Sequence, residues 1–241
     1  MSNMSNVESD IVINAFDGAV FARETQHPSR AFAFEATIDS ARLGDARNHG
    51  STKPPLHFHP HQEEYIEVLE GQMILEIEGR EYLLTADSGE LPVLPWARHR
   101  IWQPPTPAEN GDASHESGSG SIVRFRVSAQ ETEEVFKLDC ISFQNWYGYQ
   151  DEVVRAGGKL DMIQVLSIFD AGGTYPTLPW WVPFSRTVAY YGTVVVGRWI
   201  GGMLGYQPFY QKWTSDWPLA CERMQSSFFQ KRFASQPIKS S

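Results

Sequence analysis

The chain has 241 residues, of which 41% are hydrophobic and 13% aromatic, and its formal net charge is −9. That is apolar material for a substantial core, while the acidity excludes a general nucleic-acid binder, which needs a basic footprint. Two cysteines, Cys140 and Cys221, are too few and too far apart for a disulfide scaffold and fit buried thiols of a reducing compartment.

Residues 1–10 are polar and read as disordered. The opening "MSNMSNVESDIVINAF" lacks the basic and apolar regions of a secretory signal, so a cytoplasmic, unsecreted protein is expected. From Ile11 to Ser128 the chain reads as β: short apolar runs punctuated by turns. Examples are "AFAFEATI" at 31–38, "EYIEVLE" at 64–70, "QMILEIE" at 72–78, "EYLLT" at 81–85, "LPVLP" at 91–95 and "SIVRFRV" at 121–127. "EGRE" at 78–81 is a hairpin turn in which Gly79 can take a positive φ. The Pro, Gly and Ser-rich stretch 104–121 reads as a surface loop.

At Ser128 the pattern changes. Ser128 and Glu131 have the capping-box spacing and predict a helix start in "SAQETEEVF". "KLDMIQVLSIF" at 159–169 suits a second helix. "DWPLACERMQSSFFQKRF" suits a third, with Asp216 as N-cap and Pro218 in the first turn. The predicted organisation is an N-terminal segment (1–29), a β unit (30–128) and a helical C-terminal extension (129–241).

Within the β unit, "PPLHFHPHQEEYIEVLEG" (54–71) concentrates three of the seven histidines and two glutamates in eight residues. His57 and His59 are two apart, so on a strand both imidazoles point to one face and can reach one ion. Glu64 begins the next strand, from which a carboxylate can swing back to the same point. His99 follows an apolar strand and the Pro95 turn and can supply a fourth ligand. Three imidazoles and one carboxylate suit iron, manganese, nickel, cobalt or zinc, and such sites usually keep positions open for water, substrate or dioxygen. His61 and Glu63 compete for these roles. Pro60 favours a turn at His61, and Glu63 points opposite to Glu64 once the strand begins, so both are expected at the rim.

This stretch resembles the first motif of the cupin superfamily: His57-Phe-His59, four residues, Glu64, six residues, Gly71. The second motif is followed in part: Gly89, five residues, Pro95-Trp96-Ala97-Arg98-His99. Ala97 stands where that motif has glycine, and His99 comes one residue early. The resemblance covers about half the chain. It implies an antiparallel β-barrel or jelly-roll holding a divalent metal through His57, His59, Glu64 and His99, with iron or manganese favoured over zinc or nickel. The layout also resembles small cupin-domain oxidoreductases of fungal polyketide gene clusters of the salicylaldehyde type. That likeness implies oxidation of a small polyketide-derived aromatic or pre-aromatic intermediate. A redox-neutral isomerase, dehydratase or cyclase and a non-catalytic binding protein remain as alternatives.

The extension is aromatic, with five of the eight tryptophans between Trp180 and Trp217. Residues 187–210 are long enough to span a bilayer, for which about 20 residues suffice. Gly197, Gly201 and Gly205 have the spacing of close helix contacts in membranes. Arg198 opposes insertion by about 2.5–3.5 kcal/mol. Two expectations therefore stand: membrane association through 187–210, or packing of this segment on the barrel or across a homodimer seam.

Overall fold

The computed structural model describes residues 12–43, 53–104 and 122–234. The Pro/Gly/Ser-rich stretch and the polar N-terminus expected to be irregular fall outside these residues, apart from Pro104 and Gln103 beside it. The chain forms strands β1 (Val12–Ala15), β2 (Val20–Thr25) and β3 (Phe32–Asp39), then a single helical turn, α1 (Ser40–Leu43). Strands β4 (His57–Phe58), β5 (Glu64–Glu70), β6 (Met73–Ile77), β7 (Arg80–Leu84), β8 (Glu90–Val93), β9 (His99–Trp102) and β10 (Ile122–Ala129) follow. The C-terminal half holds α2 (Cys140–Arg155), α3 (Met162–Ala171), a short β11 (Tyr175–Pro176), α4 (Ser185–Thr193), a π-helical stretch Val194–Gly201, α5 (Gly202–Leu204) and α6 (Trp217–Gln225).

The strands make two antiparallel sheets, ordered β1-β2-β3-β10-β5-β8 and β11-β4-β9-β6-β7. Strand β5 alternates strictly, burying Glu64, Ile66 and Val68, which is the pattern of a sheet with one face on a core. From the other sheet Met73, Leu75 and Leu84 close the same cluster, together with Val123, Phe125 and Val127 of β10. Outer-face charges pair in register. Arg126 of β10 stands opposite Glu35 and Glu67 and donates to both, at 2.8 and 2.7 Å. The β6–β7 hairpin turns at Glu78 and Gly79, with φ +50 and +80, the left-handed pair that matches the twist of flanking strands.

Residues 12–25, upstream of the 30–128 segment, extend the six-stranded sheet, and β11 from the C-terminal half extends the other. The helix expected at Ser128 is absent. Ser128 and Ala129 remain in β10, paired with Tyr65 and Glu64, and Glu131 is taken by Lys137 at 2.8 Å. The helix begins eleven residues later, where Asp139 and Ser142 form the capping box of α2. Asp161 caps α3 and Asp216 caps α6, the latter with proline in its first turn.

Residues 187–210 do not form a span: no helix among the described residues is long and apolar enough to cross a membrane. Their glycines serve contacts within the chain. A Cβ on Gly197 would lie 2.4 Å from the Leu166 carbonyl oxygen, and one on Gly201 3.2 Å from Ile163, so the π stretch lies directly on α3. Arg198 meets Asp170, which is fully buried on α3. The opposite side of the helix leaves Phe184, Val188, Tyr191 and Trp199 exposed. Both cysteines are buried and neither forms a disulfide.

Candidate metal centre

His57, His59, Glu64 and His99 come together, each offering a ligand atom within 4.8 Å of the others. They arrive from different places. Glu64 opens β5 in the six-stranded sheet, whereas His57 and His99 are direct partners on β4 and β9 in the five-stranded one. His59 follows β4. The cluster therefore bridges the two sheets. His59, Glu64 and His99 are buried and His57 is half-buried, so the His57 side is the more open.

The donor atoms are sorted by their backbone partners. The Nδ1 atoms of His57, His59 and His99 lie 3.0, 3.1 and 3.0 Å from the carbonyls of Pro55, Gly173 and Ala97. A carbonyl only accepts, so each ring donates from Nδ1 and a neutral ring turns a bare Nε2 inward. Within the cluster, His59 Nε2, His99 Nε2 and Glu64 Oε2 are buried without a hydrogen-bond partner of good geometry. Yet Glu64 Oε2 is only 2.7 Å from His99 Nε2 and 3.6 Å from His59 Nε2. Acceptors this close need a proton or a cation between them. Three imidazole nitrogens and one carboxylate are a donor set that a divalent cation satisfies in a single position.

Without such a cation the cluster is electrostatically tense. Burial, and then the other imidazoles, push His57 down to about 3. Burial likewise outweighs the Glu64 charge and holds His59 down to about 4. For Glu64, burial would raise the carboxyl, but the three imidazoles, His99 foremost, hold it down to about 2. His99 is the exception: burial lowers it, and the adjoining Glu64 carboxylate overcomes that and raises it. In the metal-free cluster Glu64 and His99 thus favour their charged forms, and His57 and His59 their neutral ones.

The early position of His99 has a backbone cause. In the cupin pattern glycine stands two residues after the proline and histidine three residues after the glycine. Here Trp96, one residue after Pro95, takes φ +67, a region that favours glycine. His99 then follows three residues later. His99 thus lies three residues beyond the positive-φ position of this turn. Trp96 is fixed by its N–H bond to the His59 carbonyl at 2.8 Å and by stacking on Phe58 at 5.4 Å.

His61 and Glu63 lie outside the cluster. His61 is exposed, with Nδ1 4.0 Å from Glu134, and its ring faces Tyr190 of α4 at 6.1 Å. Glu63 is half-buried. Tyr190 also packs on Tyr175 and Trp96, at 4.7 and 6.0 Å, and both of these pack on Phe58, so the C-terminal half covers the face of β4 opposite the histidines. Arg186 of the same helix is tied to Glu78 at the β6–β7 turn, which Arg98 also grips. Sequence reasoning missed Gln62, whose buried amide bonds both backbone atoms of Leu138 and ties the ligand loop to the C-terminal half. It also missed Gly173. Nothing in the sequence pairs either residue with a partner so far along the chain. A surface groove of about 480 Å³ lined by Asn14, Gly148, Asp151 and Trp213 shares no residue with the cluster.

No protein-family profile matches the chain. A protein of Aspergillus niger described as a probable oxidoreductase, yanE, is 43% identical over 225 residues, covering 92% of this chain and 83% of its own length. An oxidoreductase of Arthrobotrys oligospora is 39% identical over 229 residues, covering 94% of this chain and 86% of its own. Among solved structures, an RmlC-like cupin from Shewanella frigidimarina superposes on 55% of this chain and 95% of its own, with 18% identity and a TM-score of 0.33.

Proposed function

The chain belongs to the fungal oxidoreductase family of these relatives, and we propose that it is a metal-dependent cupin oxidoreductase acting on a small polyketide-derived intermediate, aromatic or about to become so. The observation that carries the metal reading is the set of inward Nε2 and Oε2 atoms left without partners while every Nδ1 is committed to a carbonyl. His57, His59, Glu64 and His99 would hold the ion, with iron or manganese favoured. Such an ion supplies an open position for substrate or dioxygen and polarises an oxygen bound there.

The chain's own groups do the rest. Glu64 stays an anion and neutralises part of the ion's charge. The carbonyls of Pro55, Gly173 and Ala97 keep the imidazoles in the tautomer that presents Nε2. His59, Glu64 and His99 are buried and His57 is half-buried, so a substrate would approach past His57.

The test measures metal per chain by elemental analysis in the wild type and in His57→Ala, and then conversion of candidate aromatic polyketides under air and under nitrogen. About one ion per wild-type chain, lost in His57→Ala, with conversion only in air, is the expected result. A wild type free of metal and active would remove the metal reading. Undiminished conversion under nitrogen would leave the family's oxidoreductase chemistry to a different electron acceptor, or replace it by a redox-neutral step.

A further inference from the structure

The C-terminal half reaches the candidate ligands at two points. Strand β11 is registered against β4, with Tyr175 opposite Phe58 and Pro176 opposite His57. Just before it, the Gly173 carbonyl accepts the Nδ1–H of His59 at 3.1 Å across 114 positions of sequence. Thr174 Oγ1 stands 3.4 Å from the same nitrogen. Of the three carbonyls behind the imidazoles, those of Pro55 and Ala97 lie two residues from their histidines. His59 alone depends on a distant segment for its tautomer.

That segment is held by a short series of contacts. Gly173 has φ +58, and a Cβ there would lie 3.0 Å from the Phe136 carbonyl oxygen, so the turn has little room to shift. Its N–H donates to the Asp170 carbonyl at 3.0 Å, and the Thr174 N–H donates to Phe169 at 2.8 Å. The Asp170 carboxylate is gripped by Arg198, from Nε at 2.6 Å and from Nη2 at 2.8 Å. The Tyr175 hydroxyl donates to it at 3.4 Å. A two-pronged guanidinium–carboxylate pair fixes direction as well as charge, and this one joins the π stretch to the end of α3.

We infer that Arg198 and Asp170 are positioning residues for the metal centre: their ion pair sets the α3–β11 turn, the turn sets the Gly173 carbonyl, and that carbonyl holds His59 in the tautomer that presents Nε2. The inference deepens the metal reading proposed above and rests on it. It also makes the aromatic C-terminal half a part of the site. Carbonyls and carboxylates behind metal-binding imidazoles commonly change affinity about 10–100-fold when lost, and here the support is itself one step removed.

The experiment uses the full chain and two matched variants. Arg198→Met removes the guanidinium that grips Asp170. Arg223→Met removes a buried guanidinium elsewhere in the C-terminal half, whose partner Asp139 caps α2. Ring 15N NMR of metal-free protein reads which nitrogen of His59 carries the proton. Titration with Zn2+ or Co2+ reads affinity, at a temperature where far-UV circular dichroism shows both variants folded. The expected result is a mixed His59 tautomer and about 10–100-fold weaker binding in Arg198→Met, with both readouts unchanged in Arg223→Met. An unchanged His59 tautomer in Arg198→Met, or equal losses in the two variants, overturns the inference. Should Arg198→Met fail to fold, Asp170→Asn keeps the shape of the carboxylate, removes its charge and is read in the same way. A wild type that takes up neither ion ends the metal reading, while the tautomer comparison still decides the positioning role.

Discussion

Glu64 turns inward with Ile66 and Val68, while Glu63 precedes the strand and stays half-buried. The period-two geometry of β5 makes this separation, and it predicts unequal substitutions. Glu64→Gln keeps the shape and removes the anion, and its ion affinity is expected to fall further than the about 10–100-fold typical of a lost supporting group. Glu63→Gln is expected to bind as the wild type does. Parallel Zn2+ titrations check this, and equal losses would displace Glu64 from the ligand set. The imidazoles add a pH dependence in metal-free protein. His59 is held at about 4, against 6.5 for the ordinary group, so below 6.5 the unfolded chain takes a proton that the native ring refuses. Its stability contribution is complete above 6.5 and declines as pH falls towards 4. By pH 5 that single ring costs about 2 kcal/mol, and His57, also lowered, acts in the same direction. His99 is raised, so its contribution is complete below 6.5 and is lost as pH rises. Urea unfolding in chelator should show the decline from pH 6.5 to 5. Saturating Zn2+ at the same pH values should flatten it, because an occupied site keeps protons off the rings.

The helix formed by α4, the π stretch and α5 lies on α3 through glycine, and its two kinds of glycine make a matched test. At Gly197 a Cβ would meet the Leu166 carbonyl at 2.4 Å, whereas at Gly192 nothing lies within 4 Å. Gly197→Ala must push the two helices apart and is expected to destabilise by about 1–3 kcal/mol. Gly192→Ala gains helix propensity and is expected to stabilise by up to about 1 kcal/mol. Chemical denaturation of both variants measures the difference, and a neutral Gly197→Ala would mean that the helix does not bear on α3 as described. The same contacts explain why a segment with membrane-like glycine spacing folds against its own chain. Arg198 finds a buried carboxylate there, which hydrocarbon would not supply.

At the scale of the molecule, one donor set joins both sheets and is backed by the C-terminal half, so ion binding should be read out as global stability. A ligand that binds only the native state stabilises by about 2.7 kcal/mol at a hundred times its dissociation constant. For a chain of this size that raises Tm by roughly 5–10 °C. Thermal unfolding with and without Zn2+ is expected to show the rise in the wild type, its reversal by chelator, and its absence in His59→Ala. A rise that persists in His59→Ala would place the stabilising ion elsewhere.

The sequence by itself determined the runs that form β3, β5 to β8 and β10 and the inward face of β5, whereas β1 and β2 were not singled out and β11 lies in the segment read as a helical extension. Alternating burial is a local property of β5, and His-x-His with Glu64 follows from the two-residue period. The helix cap at Asp216 was equally legible, because a cap is satisfied by an amide three residues away. Ser128 shows the limit of that reasoning. It has the capping-box spacing with Glu131, yet strand partners on both sides keep it in β10, and ladder pairing outweighs a cap. The same limit applied to Ala97 and Trp96. Only the folded turn shows that Trp96 takes a positive φ three residues before His99. Whether 187–210 would face lipid or protein was also undecided by composition, since glycine spacing serves both. Tertiary structure settled its inner face by placing Leu166 and Asp170 beneath Gly197 and Arg198. The Gly173 carbonyl behind His59 was invisible for the same physical reason: a backbone oxygen carries no sequence signal, and only the fold brings it across 114 positions to an imidazole.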